Sequence, residues 1–187
     1  MKTLTLIFLL FWSPFLFSQS YDLIKKAEKK IIEKDYPKAL KLLNRALVAD
    51  YGFCGTAKVE AETEINRLKL KLFSESNNEK ELVKFLESID ELMEFENIYT
   101  LERIKLALKK YSKEELNLKI TESLKKSDKN IWIDFSNLVQ LKFEDGYSLK
   151  MLLNSGEVWK LKEENNIRYN EALIKYYSNS EYKVLLD

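Results

Sequence analysis

Apolar positions return every third or fourth place through the first two thirds of this chain, and from Ile131 onward they alternate. Leu23, Ala27 and Ile31 stand at i, i+4 and i+8 among Lys and Glu, which predicts a helix over 21–34. Residues 35–50, DYPKALKLLNRALVAD, predict a second helix: Asp35 can cap it, and Pro37 sits where a missing N–H costs nothing. Ala39, Leu43 and Ala46 share one face, and two small residues there let another helix come close. Gly52 and Gly55 interrupt the pattern before a third helix over 56–73, capped by Thr56 and carrying Val59, Ile65, Leu68 and Leu72. The polar stretch SESNNEK, 74–80, has no periodicity and reads as a linker. Residues 81–95 predict an acidic amphipathic helix built on Leu82, Phe85, Leu86, Ile89, Leu92 and Met93. Another starts at Asn97 or Thr100 and runs through Leu101, Ile104, Leu108 and Tyr111; Ser112 with Glu115 then forms a capping box for 113–126, with Leu116, Ile120 and Leu124.

From Ile131 the period is two, the signature of half-buried strands: Ile131, Ile133, Phe135, Val139, Leu141, Phe143, Tyr147, Leu149, Met151, Trp159 and Leu161 are all odd-numbered. Turn chemistry fixes the register. A two-residue loop at Asp145-Gly146 would set Leu141 opposite Lys150, whereas a three-residue loop, 144–146 with Gly146 left-handed, pairs Phe143 with Tyr147, Leu141 with Leu149 and Val139 with Met151. Asn154-Ser155-Gly156 repeats the arrangement. This predicts an antiparallel meander of three or four strands over about 131–162, wet on its even-numbered face except at Trp132, Leu152 and Val158. A last helix follows at about 166–177, then a short strand or a frayed tail. The predicted fold class is α+β, an N-terminal helical region over 21–74, a linker at 75–80, and an 81–187 domain of three helices, meander and final helix.

At 187 residues, 45% hydrophobic and 33% charged, the chain can bury a core. Residues 1–20 join one Lys, an apolar run from Leu4 to Phe17 and a small polar close, the pattern of a secretory signal peptide cleaved after Ser18 or Ser20. The run is shorter than the ~20 residues of a spanning helix, and no Cys stands near the cleavage region to anchor a lipid. The expected address is periplasmic or extracellular, without a stable membrane span once the leader is gone. Composition and leader resemble secreted proteins of the Bacteroidetes group. Basic residues number 31 and acidic ones 30; removing Lys2 with the leader leaves 30 against 30, and no basic stripe calls for nucleic acid. Cys54 stands alone, so it has no intramolecular disulfide; it is either a small buried residue or an intermolecular bridge or reactive thiol.

Chemistry narrows the reading further. The sequence has no His, which removes the side chain most used for proton transfer near neutrality and the commonest metal ligand. One Cys makes no zinc cage, and four scattered Gly make no phosphate loop. No cofactor, metal or catalytic residue is expected, and the chain reads as a non-enzyme; a pair of carboxylates acting alone is the one chemistry left open.

Tyr36, Ala39, Leu43 and Ala46, with Ala27 twelve places before Ala39, resemble one tetratricopeptide repeat over 20–53; Leu23, Lys30 and Tyr51 depart from its Trp, aromatic and Pro positions. The small-residue pattern does not recur at the ~34-residue period, and a lone repeat must pack on the rest of its chain or on a partner. With the leader and the missing chemistry, this gives the expectation of an exported protein–protein interaction module, and the resemblance implies that it holds a partner on the first helix, at Tyr21, Ile24, Glu28 and Ile31. Helices before a curved meander also loosely resemble the ketosteroid-isomerase-like fold, which implies a small-ligand pocket behind the odd-numbered face. A toxin-neutralising protein is a third expectation.

Overall fold

Where two helices meet through alanine, they can approach closely, and three alanines of the N-terminal part, Ala27, Ala39 and Ala46, have no exposed surface. The computed structural model describes residues 20–52, 55–89, 97–126, 138–152, 169–179 and 183. The leader, Cys54, the outer strands expected near 131–135 and 157–162, the Asn154-Ser155-Gly156 turn and the final residues lie outside them. Two compact units divide between Glu87 and Ser88.

In the first unit, α1 spans 20–32, α2 Tyr36–Leu47, α3 Gly55–Glu75 and α4 Glu79–Ser88. Ala27, Ala39, Leu43 and Ala46 have no exposed surface, and α2 packs on α3. The chain turns between α1 and α2 through two backbone bonds, Asp35 N–H to the Lys30 carbonyl and Lys34 N–H to the Ile31 carbonyl, both 2.9 Å. This is a Schellman turn, and it puts Lys34 in the left-handed region at φ 59°. Glycine adopts that conformation without a Cβ penalty. Lys34→Gly is therefore expected to raise the stability of this unit by about 1 kcal/mol, read as a higher urea midpoint. Asp35 departs from expectation: its carboxylate makes no capping bond, and only its carbonyl accepts from Ala39 N–H at 3.0 Å. Pro37 does occupy the first turn.

The far end of the hairpin is fastened by polar groups. Ser20 Oγ donates to the Asp50 carbonyl at 2.8 Å, Tyr51 Oη donates to the Ala46 carbonyl at 2.9 Å, and Asp50 Oδ1 accepts from Gly52 N–H at 2.7 Å. In α3 the buried face is Ala61, Ile65, Leu68 and Leu72; Val59, expected on it, is 52% exposed because it lies two places before Ala61 and so on another side. Leu70 and Phe73 are buried as well, which spreads the apolar pattern of α3 beyond one stripe. Thr56 lies inside the helix, which begins at Gly55.

The 74–80 stretch is a tight helix-to-helix turn at 76–78. Asn77 takes the left-handed position at φ 53°, Asn78 offers Oδ1 to Glu81 N–H at 3.4 Å and its carbonyl to Leu82 N–H at 2.9 Å, and Phe73 meets Phe85 with ring centres 5.5 Å apart. Asn serves both ends because its short amide tolerates left-handed backbone and caps a helix start. The helix expected over 81–95 stops at Ser88; 90–96 lie outside the described residues.

The second unit holds α5 (Asn97–Leu108), α6 (Lys113–Lys126), β1 (Leu138–Lys142), β2 (Ser148–Leu152) and α7 (Tyr169–Ser178). The two strands are antiparallel, with Val139 opposite Met151 and Leu141 opposite Leu149. Gly146, at φ 82°, donates to the Phe143 carbonyl at 3.0 Å, and Phe143 N–H donates to the Tyr147 carbonyl at 2.9 Å. The three-residue turn with a glycine bulge is thus the one the alternation requires. Val139, Leu141, Phe143, Leu149 and Met151 form one core with Ile104, Ala107, Leu116, Ile120, Leu124, Leu173 and Tyr177; Gln140, Lys142 and Ser148 are exposed. Helix α5 packs on β2, and α6 packs on β1 and α7. Thr100, with no exposed surface, accepts the Leu152 N–H at 2.8 Å through Oγ1. Ser112 caps α6, accepting Glu115 N–H at 3.1 Å; its hydroxyl partner is Glu114, whose carboxyl is held below its ordinary value by its own backbone N–H and by Ser112, while Glu115 faces Lys119. Among the described residues the chain is α+β and mostly helical, with seven helices and one two-stranded sheet.

Candidate functional site

Two places gather side chains that could act together, one in each unit. On α1, Ile24 and Ile31 are core residues at 6% and 1% exposure, which leaves Tyr21 and Glu28 of the four expected contacts at the surface. Tyr21 is fastened there: its ring meets Tyr51 edge-on at 5.6 Å and its hydroxyl donates to the Ala57 carbonyl at 3.3 Å. Further along α1, Lys30 is ion-paired with Glu33, which raises the lysine and lowers the carboxyl from their ordinary values.

In the second unit the β1–β2 turn lays its aspartate against the α5–α6 junction. Tyr111 Oη donates to Asp145 Oδ2 at 2.7 Å, and Asp145 Oδ1 accepts Tyr147 N–H at 3.1 Å. Lys110 and Lys119 approach the same Oδ2 at 3.5 and 3.9 Å. Three aromatic rings complete the cluster: Tyr111 stands edge-on to Phe143 and Tyr147 at 6.0 and 5.6 Å, and Phe143 stacks on Tyr147 at 5.9 Å. Lys110 Nζ lies 4.9 Å from the Tyr147 ring centre and Lys119 Nζ 5.1 Å from that of Tyr111, within reach of the negative ring faces.

Electrostatics assigns this cluster a holding role. The Tyr111 hydroxyl, the Tyr147 amide and the two ammonium groups hold Asp145 down to about 2. Burial, then the bond to Asp145, pushes the Tyr111 phenol up, and the bond to Tyr111, then the charge on Asp145, raises Lys110. Each shift deepens the charge state already present at neutral pH, so none of these three groups is poised to exchange a proton there. A depression of about 60 Å³ beside the cluster, edged by Lys119, Lys126, Lys142, Glu122 and Glu144, is far smaller than the ~300 Å³ at which small-molecule sites begin.

A depressed carboxyl stabilises the fold above its unfolded value, near 3.8, and that contribution is lost as pH falls through about 2. Tyr111→Phe removes the largest cause of the depression. The variant is expected to be less stable than the parent at pH 7, with the gap narrowing toward pH 2; urea unfolding at both pH values reads it, and a gap constant with pH would contradict the assignment.

Sequence reading missed this cluster because Tyr111 and Asp145 are 34 residues apart. Asp145 registered only as a turn residue. Parity was the available signal, since Phe143 and Tyr147 face the core side on which Tyr111 also lies. Among the described residues no group of three or more His, Cys, Asp or Glu could hold a metal, and no helix is long and apolar enough to cross a membrane. No protein family, curated protein or solved structure matches the chain.

Proposed function

We propose that the chain is an exported, non-catalytic protein–protein interaction module, with a tetratricopeptide-like hairpin as its working part. The observation that carries this reading is the contrast along α1 and α2: Ala27, Ala39 and Ala46 with no exposed surface, and Tyr21 and Glu28 beside them facing solvent. Close packing through alanine makes a stiff element, and a stiff element can present a surface without ordering cost on binding. The lack of histidine, the side chain most used for proton transfer near neutrality, supports a non-enzymatic role. The hairpin of the second unit belongs to a three- or four-stranded meander in this reading, with 131–135 and about 157–162 as its further strands. The small-ligand alternative draws no support from the described residues, where the odd-numbered face is filled by five side chains at 1–6% exposure.

A photo-crosslinking side chain at Glu28, in the full chain expressed in the cell that makes it, tests the reading. A discrete heavier adduct at Glu28, absent when the probe replaces Leu118, an exposed residue of α6, is the expected result. No adduct from probes at Tyr21 or Glu28 would overturn it. Export carries its own check. Cleavage after Ser18 keeps Ser20, a buried residue whose hydroxyl donates to the Asp50 carbonyl, whereas cleavage after Ser20 discards it. The intact mass of the exported protein is therefore expected to begin at Gln19.

A further inference from the structure

Helices α1, α3, α5 and α6 each carry ion pairs one turn apart: Lys29–Glu33, Lys58–Glu62 and Lys71–Glu75, Lys105–Glu102, and Lys119–Glu115. Helix α2 differs, having three cations and no acid between Tyr36 and Leu47. Lys38, Lys41 and Arg45 recur at spacings of three and four, opposite the buried Ala39, Leu43 and Ala46, and all three are exposed. No ion pair reaches them among the described residues, and Glu33, the acid whose charge feels Lys38, is already held by Lys29 and Lys30. The row of three cations ends at Leu47 and Val48, apolar residues 37% and 82% exposed.

We propose that this outer face of α2 is a docking surface for an acidic peptide segment of a partner protein, a proposal that rests on the interaction-module reading. Charge complementarity selects the occupant. Three unpaired cations along roughly 10 Å of helix match a short run of carboxylates, and Val48 offers an apolar contact at the end of that run. Anionic membrane surfaces are recognised by clusters of about 4–8 Lys and Arg, more than α2 carries, and the apolar face of α2 is already committed to the core.

The test uses the full mature chain and a fluorescein-labelled peptide, Glu-Glu-Leu-Glu-Glu-Leu-Glu-Glu, followed by anisotropy. The expected result is saturable binding that weakens with salt, is absent for the Gln counterpart, and falls by at least about ten-fold in the triple variant Lys38→Glu, Lys41→Glu, Arg45→Glu. The control Lys58→Glu, Arg67→Glu, Lys71→Glu on α3 changes net charge equally and is expected to stay within about two-fold. Circular dichroism confirms that both variants fold. Equal loss in both triples would make binding a matter of net charge and overturn the proposal. Unchanged binding in the α2 triple, or no peptide binding while phosphatidylglycerol vesicles are bound, would overturn it too. If the Glu28 adduct forms while the peptide fails to bind, the docking surface falls and the interaction module stands; if neither is seen, both fall.

Discussion

Leu141→Ala is expected to cost the second unit about 2–5 kcal/mol, while Gln140→Ala, one residue away, stays within about 0.5 kcal/mol. Leu141 is 2% exposed, sits opposite Leu149, and belongs to the core shared with α6 and α7; Gln140 is exposed on the other face of the same strand. The truncation removes three carbons from a site walled by several elements, so the cavity cannot close cheaply. Trp132 and Trp159 both belong to the sequence of this unit, and in a chain lacking residues 1–20, which carry the third tryptophan, Trp12, urea unfolding followed by tryptophan fluorescence would read it selectively. A one-residue slip in register would exchange the two outcomes, because parity decides which face each residue occupies. Similar costs at both positions would remove the sheet from this part of the fold.

The register was legible because two independent constraints agreed. Alternation alone leaves the turn open, and the left-handed Gly146 alone leaves the strands open; together they admit one pairing. Helix existence was legible for the same reason of repetition, as at Leu116, Ile120 and Leu124. What sequence could not separate was two uses of the same residue type. A run of Ser, Asn and Glu serves a linker or a tight turn equally well, and only the φ of Asn77 and the bond from Glu81 N–H to Asn78 distinguish them. Asp35 shows the converse, a residue suited to capping whose carboxylate is not used, because its backbone closes the preceding Schellman turn.

Buried polar groups were the least legible. Periodicity in α5 points to Leu101, Ile104 and Leu108, yet Leu101 and Leu108 are only partly buried, while Thr100 and Arg103 are buried, at 0% and 7%. Thr100 is buried because the Leu152 amide needs an acceptor, a demand set 52 residues downstream. The expected contacts on α1 show a related ambiguity. Stripe spacing cannot tell a groove from a core, and Ile24 and Ile31 lie in the core.

Ala39→Leu tests the element on which the functional reading depends. Ala39 has no exposed surface, lies on the α2 face with Leu43 and Ala46, and α2 packs on α3. Leucine adds three carbons where no space is left, and either the side chain leaves its preferred rotamer or the helices move apart. Such overpacking typically costs about 1–3 kcal/mol. In a unit of this size each kcal/mol lowers the melting temperature by about 4–8 °C, followed as helix signal at 222 nm. Lys41→Leu, on the exposed side of the same helix, adds comparable apolar bulk with similar helix propensity and is expected to leave the transition nearly unmoved. The crosslinking probe at Glu28 then connects packing to function. If a stiff hairpin presents the partner surface, Ala39→Leu should also weaken the Glu28 adduct, at a temperature where the variant is still folded, whereas Lys34→Gly, which relieves the turn without touching the interface, should not. An adduct of full intensity from Ala39→Leu would mean that partner binding does not depend on how closely these helices pack.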